Sequence, residues 1–252
     1  MSKSPVQPLV FADIDDNFCH TTGKFRKYVG DESLGEACVI DQTGKALSYR
    51  SAAQTAYLNW LMDSANVVPV TGRSREKFLQ VQLGFSGHAI VSFGGLILLA
   101  DGTPEPGWYN IIKEAAALEA DAIKALLAQA KAQAASMDSA LNVTLITDEG
   151  LDLLVKVQHK EGKNDVLAAM GNGMAEYLPS GWTLHNNEGQ LCAYPPFLGK
   201  EKACAYYLEH LAAPYSLLIG SGDSLTDLGF IGLCDVMVAP VNSQIFRSLD
   251  TH

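Results

Sequence analysis

Acidic side chains crowd the end of an apolar run near the start of the chain. The stretch "LVFADIDDNF", residues 9–18, sets Asp13, Asp15 and Asp16 directly after Leu9-Val10-Phe11-Ala12. Like charges so close raise one another's pKa or share a cation. Thr71-Gly72-Arg73 follows "VVPV", Asp223 and Asp227 follow "SLLIGSG", and Lys200 precedes "EKACAYYLEHL". Clustered carboxylates suit a hard divalent cation, and Mg²⁺ accepts a few of them while keeping waters and a substrate phosphate oxygen. A hydroxyl, backbone amides and a lysine ammonium hold phosphoryl oxygens. An aspartate can attack phosphorus to form an aspartyl-phosphate. A second carboxyl can protonate the leaving oxygen and later activate water.

Each group alone has a plainer reading. A D-x-D pair is a solvated turn, T-G-R a helix cap with a turn glycine, and a lysine at a helix start a solvated charge. "GSGDSLTD" reads as a loop in which Asp223 or Ser224 caps a helix. What favours one site is that each group follows the element that would deliver it.

Those elements are legible in the pattern. "PLVFADI" predicts a buried strand. "EACVIDQTGKALSYRS" predicts a β-hairpin turning at Gly44, and "SAAQTAYLNWLMDSA" a helix with Ser51 as N-cap. "NVVPVTGRS" is a strand, "SREKFLQVQLGF" a helix, and "HAIVSFGGLILLADG" two strands broken by Gly-Gly. In the middle, "GWYNIIKEAAALEADAIKALLAQAKAQAASM" is an Ala-rich helix. "ALNVTLITDEG" and "LDLLVKVQHK" pair around a turn, "NDVLAAMGNGMAEYL" is a helix weakened by glycines, and "GWTLHNNEGQLCAYPP" is a hairpin. Strand and helix then alternate again through "GKEKACAYYLEHLA", "YSLLIGSGDS", "SLTDLGFIGLC" and "DVMVAPVN". Alternation at both ends predicts an α/β protein with a doubly wound parallel sheet, whose ligands bind beyond the carboxyl ends of the strands. Residues 1–103 and 197–252 form this core, and 104–196 an inserted helix-and-hairpin domain.

Composition narrows the partners. The formal net charge of -10 argues against non-specific binding to nucleic acid or anionic membrane. No uncharged run approaches the ~18 residues needed to span a bilayer. The five cysteines are scattered without a CxxC pair, as expected for reduced thiols in a cytoplasmic protein. "MSKSPVQP" lacks the apolar core of a signal peptide.

With "DIDD", "VTGR", "GKEKA" and "GDSLTD" in this order, the sequence resembles the haloacid dehalogenase-like phosphatase superfamily over nearly its whole length. The insert lies where the type C2 cap stands. "AIVSFGGLIL" and "APVNSQI" are similar to segments of the Cof-like and sucrose-phosphatase-like members, subfamily IIB. The resemblance implies a Rossmann-like core with an α+β cap and an Mg²⁺-dependent phosphatase acting on a small phosphorylated metabolite, a sugar phosphate for preference. It implies that Asp13 is nucleophile and metal ligand. Asp15 would be general acid/base, with its backbone carbonyl on the metal. Thr71 and Gly72 would bind the phosphoryl group, and Lys200 would neutralise it and orient Asp13. Asp223 would be a ligand and Asp227 a ligand or its support. The K-x-x-A spacing to Ala203 favours Lys200 over Lys202.

The chain departs from the family at Asp16-Asn17, where Gly-Thr is usual, and in a long segment after the first motif whose hairpin, near residues 36–50, is either a flap or an ornament. The final strand or helix of the family looks trimmed. Specificity candidates are Arg73, whose fork suits phosphate or carboxylate, and Lys156, His159, Lys160, His185, Asn186 and Asn187 on or beside the cap hairpins. Trp108-Tyr109 could stack on a sugar or simply pack. A C2 cap is expected to move about hinges near Gly102–Pro104 and Pro195–Gly199. The competing readings are a phosphomutase-like phosphotransferase and a non-catalytic phospho-metabolite-binding protein.

Overall fold

The computed structural model describes residues 6–187 and 189–249. The chain forms two compact units, one running to Trp108 and resuming at Lys200, the other Tyr109–Gly199.

In chain order the first unit opens with β1 (Leu9–Ala12), β2 (His20–Thr21), α1 (Thr22–Tyr28), β3 (Glu36–Ile40) and β4 (Ala46–Arg50). It continues with α2 (Ala52–Ser64), β5 (Asn66–Pro69), α3 (Arg75–Phe78), β6 (Ala89–Val91) and β7 (Leu96–Leu98). Then come α4 (Pro106–Met137), β8 (Leu141–Asp148), β9 (Leu151–His159), α5 (Asn164–Ala175), β10 (Thr183–Asn187) and β11 (Gln190–Tyr194). The chain closes with α6 (Lys200–His210), β12 (Leu218–Ser221), α7 (Leu228–Ile231), β13 (Val236–Val238) and α8 (Gln244–Leu249).

All of β1 is buried, as a strand must be when it pairs on both sides and is covered on both faces. The sheet runs β13-β12-β1-β5, all parallel, and a Val70–Ile90 bridge carries it on to β6. From β1 the chain steps to β5 on one side and later returns to β12 on the other. β1 and β12 therefore flank a topological switch point, where a crevice opens beyond the strand ends. On one face Val10 and Ala12 pack with Phe18, Leu58 and Leu61. On the other, Phe11 meets Tyr207 of α6 edge-on, ring centroids 5.7 Å apart.

The long segment after β1 makes a three-stranded antiparallel sheet, β2-β4-β3, with α1 against it. Phe25 is fully buried beside the Tyr49 ring. Gly35 is required there, since a Cβ on it would lie 2.4 Å from Phe25. Cys38 and Val39 of β3 join the core cluster that contains Ile14 and Phe18.

The second unit is an antiparallel sheet, β10-β11-β9-β8. Val143, Val155, Val157, Leu191 and Ala193 lie on its apolar face, with Ile123, Leu126 and Ala130 of α4 and Leu167 and Met170 of α5. The alternate residues Thr144, Lys156, Cys192 and His185 form a cross-strand row on the other face. Glu149 (φ 47) and Gly150 (φ 78) make the two-residue turn between β8 and β9 with the positive φ angles a tight hairpin needs.

The fold class and the three hairpins, β3–β4, β8–β9 and β10–β11, stand as the pattern implied. Three local readings need correction. The helix expected over 74–85 ends at Phe78, because Val81 leaves to bridge Val39 of β3. The helix expected over 224–234 is split into a 3-10 turn, Leu225–Asp227, and the short α7, because Asp227 folds back to cap the turn. A final helix, α8, begins at Gln244 where the end looked trimmed. All five cysteines are free thiols, four buried and Cys234 half-buried.

α2 starts on a capping box: Ser51 Oγ accepts from Gln54 N at 3.3 Å, and Gln54 Oε1 accepts from Ser51 N at 3.0 Å. Ser51→Ala should cost about 1 kcal/mol, and Ser51→Gly only a few tenths. A urea titration checks this as a lower midpoint at unchanged slope.

Candidate active site

Two loops at the switch point bring the acidic groups together. β1 ends at Ala12, and Asp13 N donates to Ser221 O of β12 at 2.8 Å, so the first residue past one strand is stitched to the end of its neighbour. Across the crevice, Lys200 begins α6 with its ammonium buried. Its Nζ donates to Asp13 Oδ1 and Asp227 Oδ1, each at 2.7 Å. Asp227 Oδ2 accepts from Asp223 N at 3.2 Å and Ser224 N at 3.0 Å. Asp13, Asp223 and Asp227 each offer a carboxylate oxygen within 4.8 Å of the others, the spacing of a shared cation. Gly222 makes this possible, because a Cβ there would lie 2.7 Å from the Asp227 carboxylate.

Asp15 lies outside that cluster. Its carboxylate is 41% exposed, against 8% for Asp13. Arg73 grips it with Nε to Oδ2 at 2.9 Å and Nη2 to Oδ1 at 2.6 Å. Arg73, a candidate for substrate, is thus engaged with the second aspartate. Thr71 is fully buried, and its Oγ1 accepts from Arg73 N at 3.2 Å. Ser92 N donates to Arg73 O at 2.7 Å and Phe93 N to Thr71 O at 3.1 Å, holding the T-G-R loop from behind. The Phe93 ring presses on Gly72, where a Cβ would stand 2.5 Å from it.

Sequence reasoning left other contributors unassigned. Asn17 Nδ2 donates to Asp13 O at 2.9 Å and to Ser221 Oγ at 3.0 Å, and Ser221 Oγ also meets Tyr57 OH at 3.0 Å. This buried network anchors the loop to β12. An Asn inside an acidic loop carries no pattern that reveals it. Ser224 is the cap of the 3-10 turn, with Asp227 reciprocating, which settles the earlier choice between Asp223 and Ser224. That S-x-x-D spacing was readable. Asp16 takes φ 62, the left-handed region that glycine enters freely.

Elsewhere, Lys202 is exposed while Lys200 is buried. His159 is buried in the second unit, its Nε2 3.3 Å from Asp138 Oδ2 and its Nδ1 accepting from Glu161 N at 3.1 Å, which removes it from ligand duty. Lys156 and His185 share the polar face of that sheet, Asn186 pairs with Leu191 on the apolar parity, and Lys160 is exposed at the end of β9. The Asn187 side chain and the hairpin position at 188 lie outside the described residues. Trp108 packs: its Nε1 donates to Gly94 O at 2.9 Å and its ring lies 5.0 Å from Tyr206. Tyr109 OH donates to Glu149 O at 3.1 Å.

Electrostatics follow from burial. Burial is the largest influence on Asp13 and, helped by Asp227 and Asp15 against the pull of Lys200, pushes its pKa to about 8. Burial, then Asp13, Asp227 and Asp16, push Asp223 to about 9. For Lys200, burial acts downward, but the two carboxylates outweigh it and hold the ammonium above the ordinary lysine value. Burial acts to raise Asp16, yet hydrogen bonds from His20 and Lys24 prevail and keep it low.

No family model matches the chain, and no curated protein matches it. Solved structures do. The sucrose-phosphatase of Synechocystis, solved with sucrose and phosphate, gives a TM-score of 0.54 at 19% identity over 98% of this chain and 88% of its own. The C-terminal domain of C. albicans trehalose-6-phosphate phosphatase gives 0.57 at 10% identity, over 90% and 73%. The IMP-bound IMP-nucleotidase of Plasmodium falciparum gives 0.59 at 11% identity, over 96% and 66%. The fold is that of the haloacid dehalogenase-like phosphatases, a Rossmann-like core with an inserted cap domain. Among the described residues no helix is long and apolar enough to cross a membrane.

A carboxyl whose folded pKa exceeds its unfolded value of 3.8 holds its proton more tightly when folded. Its contribution to stability therefore falls as pH climbs from 3.8 through about 8 to 9. A divalent cation held by these carboxylates would replace the proton. In chelator, the melting temperature should fall over this window, and added Mg²⁺ should restore it by an increment that grows with pH. Asp223→Asn should flatten both trends. Thermal melts across the pH range, with and without Mg²⁺, measure this.

Proposed function

We propose that this protein is an Mg²⁺-dependent phosphatase of a small phosphorylated metabolite, working through an aspartyl-phosphate on Asp13. The observation that carries the reading is the arrangement at the switch point. A buried aspartate stands at the end of the central strand, held by a buried lysine and clustered with two more carboxylates. Oxygen donors within 4.8 Å suit Mg²⁺. Asp13, Asp223 and Asp227 would hold it with the Asp15 backbone carbonyl. When bound it offsets the repulsion between a carboxylate and a phosphate ester.

The chain's own groups then divide the work. Asp13 Oδ attacks phosphorus while the ester P–O bond breaks, and Asp15 gives its proton to the departing alkoxide. In the second half Asp15 takes a proton from water, which attacks the same phosphorus and returns Asp13 with release of inorganic phosphate. Thr71 Oγ1 and the Gly72 N–H donate to the phosphoryl oxygens. Lys200 neutralises them and orients Asp13. The greater exposure of Asp15 lets it carry a proton to and from solvent, while burial keeps Asp13 dry. Sugar phosphates are the favoured substrates, supported by the sucrose- and trehalose-6-phosphate phosphatases among the fold's neighbours. The IMP-nucleotidase makes nucleoside monophosphates the second class to test.

Phosphate release from a panel of sugar phosphates and nucleoside monophosphates, in Mg²⁺ and in chelator, tests the reading. Wild type should release phosphate only with the cation. Asp13→Asn should abolish release, and Asp15→Asn should lower it by about 10² to 10⁴-fold. Equal release by Asp13→Asn would remove the aspartyl-phosphate route.

A further inference from the structure

The acidic residue at position 16 is the chain's clearest departure from its family, and it sits in a strained place. At φ 62 the backbone is left-handed. An L-residue enters that region at a cost, smaller for Asp and Asn than for others and absent for Gly. The neighbouring backbone is tightly wound: Asp16 N donates to Cys19 O at 2.7 Å, and Phe18 N to Ile14 O at 2.9 Å. A conformation that glycine would adopt freely is kept here with a charged side chain.

That side chain has partners, and both come from the β2–β4 insert that follows β1, residues 20–50, a segment separate from the inserted second domain. The Asp16 carboxylate meets His20 Nδ1 of β2 at 2.9 Å and Lys24 Nζ of α1. The insert is itself firmly built. β2 pairs with β4 through His20–Tyr49 and Thr21–Ser48, and α1 is pinned by Phe25. The loop bearing both proposed catalytic aspartates is thus held at successive positions. Asp15 is gripped by Arg73, Asp16 by the insert, and Asn17 ties the loop to Asp13 O and to β12.

We propose that Asp16, His20 and Lys24 form a latch through which the β2–β4 insert fixes the Asp13–Cys19 loop, making Asp16 and Lys24 positioning residues for phosphoryl transfer. The inference rests on the phosphatase reading for its catalytic consequence, but the latch itself is a statement about the loop. It also assigns the insert a role: it is a brace for the catalytic loop. The latch stabilises one loop geometry with two charge-assisted hydrogen bonds in a half-buried setting. Small displacements of reacting groups reduce turnover steeply.

The experiment compares wild type with Asp16→Gly, Lys24→Met, Lys24→Arg and the Asp16→Gly/Lys24→Met double variant in the Mg²⁺ assay. 4-Nitrophenyl phosphate is the probe, alongside amide hydrogen exchange of the peptides covering residues 13–19. Asp16→Gly leaves the melting temperature near that of wild type, because relief of the left-handed strain offsets the loss of the two hydrogen bonds. It nonetheless lowers kcat about tenfold at nearly constant KM and speeds exchange in the loop. Lys24→Met does the same, the double variant is no worse than either single, and Lys24→Arg recovers most of kcat. Unchanged loop exchange in both single variants overturns the latch. So does an unchanged kcat in both, with Asp13→Asn still inactive, and that result leaves the phosphatase reading standing. If wild type hydrolyses neither the probe nor the panel, the phosphatase reading fails and loop exchange alone decides the latch.

Discussion

The site is organised by a charge imbalance in a place that water hardly reaches. Asp13, Asp223 and Asp227 converge beyond the ends of β1 and β12, and Lys200 is the buried cation among them. One positive charge against three negative ones leaves two negative charges when all are ionised. In a low-dielectric crevice that excess is expensive, which is why burial lifts Asp13 and Asp223 far above ordinary carboxylates. The imbalance has the size of a divalent cation. Much of the surrounding structure serves to hold these groups together against their repulsion.

Two glycines show how closely the loops must approach to do so. Gly222 lets the Asp227 carboxylate tuck under the end of β12, and Gly72 lets the Phe93 ring lie against the T-G-R loop. Neither is required by a turn of positive φ. Each is required because another group occupies the volume a side chain would need. The backbone bonds from Ser92 and Phe93 to the T-G-R loop, and from Asp13 to Ser221, then fix the loops to different strands of the core.

The D-x-D pair separates into two environments within three residues. Asp13 points into the buried cluster, while Asp15 emerges toward solvent on the Arg73 fork. Two carboxylates of the same chemical type are thereby placed in different environments by burial and partner alone. The residue after them, Asp16, is turned the other way and meets the insert. Three consecutive acidic or polar positions, Asp15, Asp16 and Asn17, thus face three different partners.

Much of this was legible in the sequence because it depends on local pattern. The unalternating run of β1, the Ser51 N-cap of α2, the hairpin turns and the Ala-rich helix follow from side-chain periodicity and turn chemistry, which act over a few residues. So does the order of Asp13, Thr71, Lys200 and Asp223 at the ends of successive elements. What the sequence could not decide is set by contacts between distant segments. α3 stops after one turn because Val81 prefers a bridge to Val39. Arg73 faces Asp15 because two loops meet, and Asn17 is buried because Ser221 and Tyr57 arrive from elsewhere. The choice of Lys200 over Lys202, which the K-x-x-A spacing already favoured, is matched by the burial of Lys200 and the exposure of Lys202. The order of residues sets which groups are available and which elements carry them. The packing of distant segments decides which carboxylates cluster, because desolvation and repulsion depend on through-space distance.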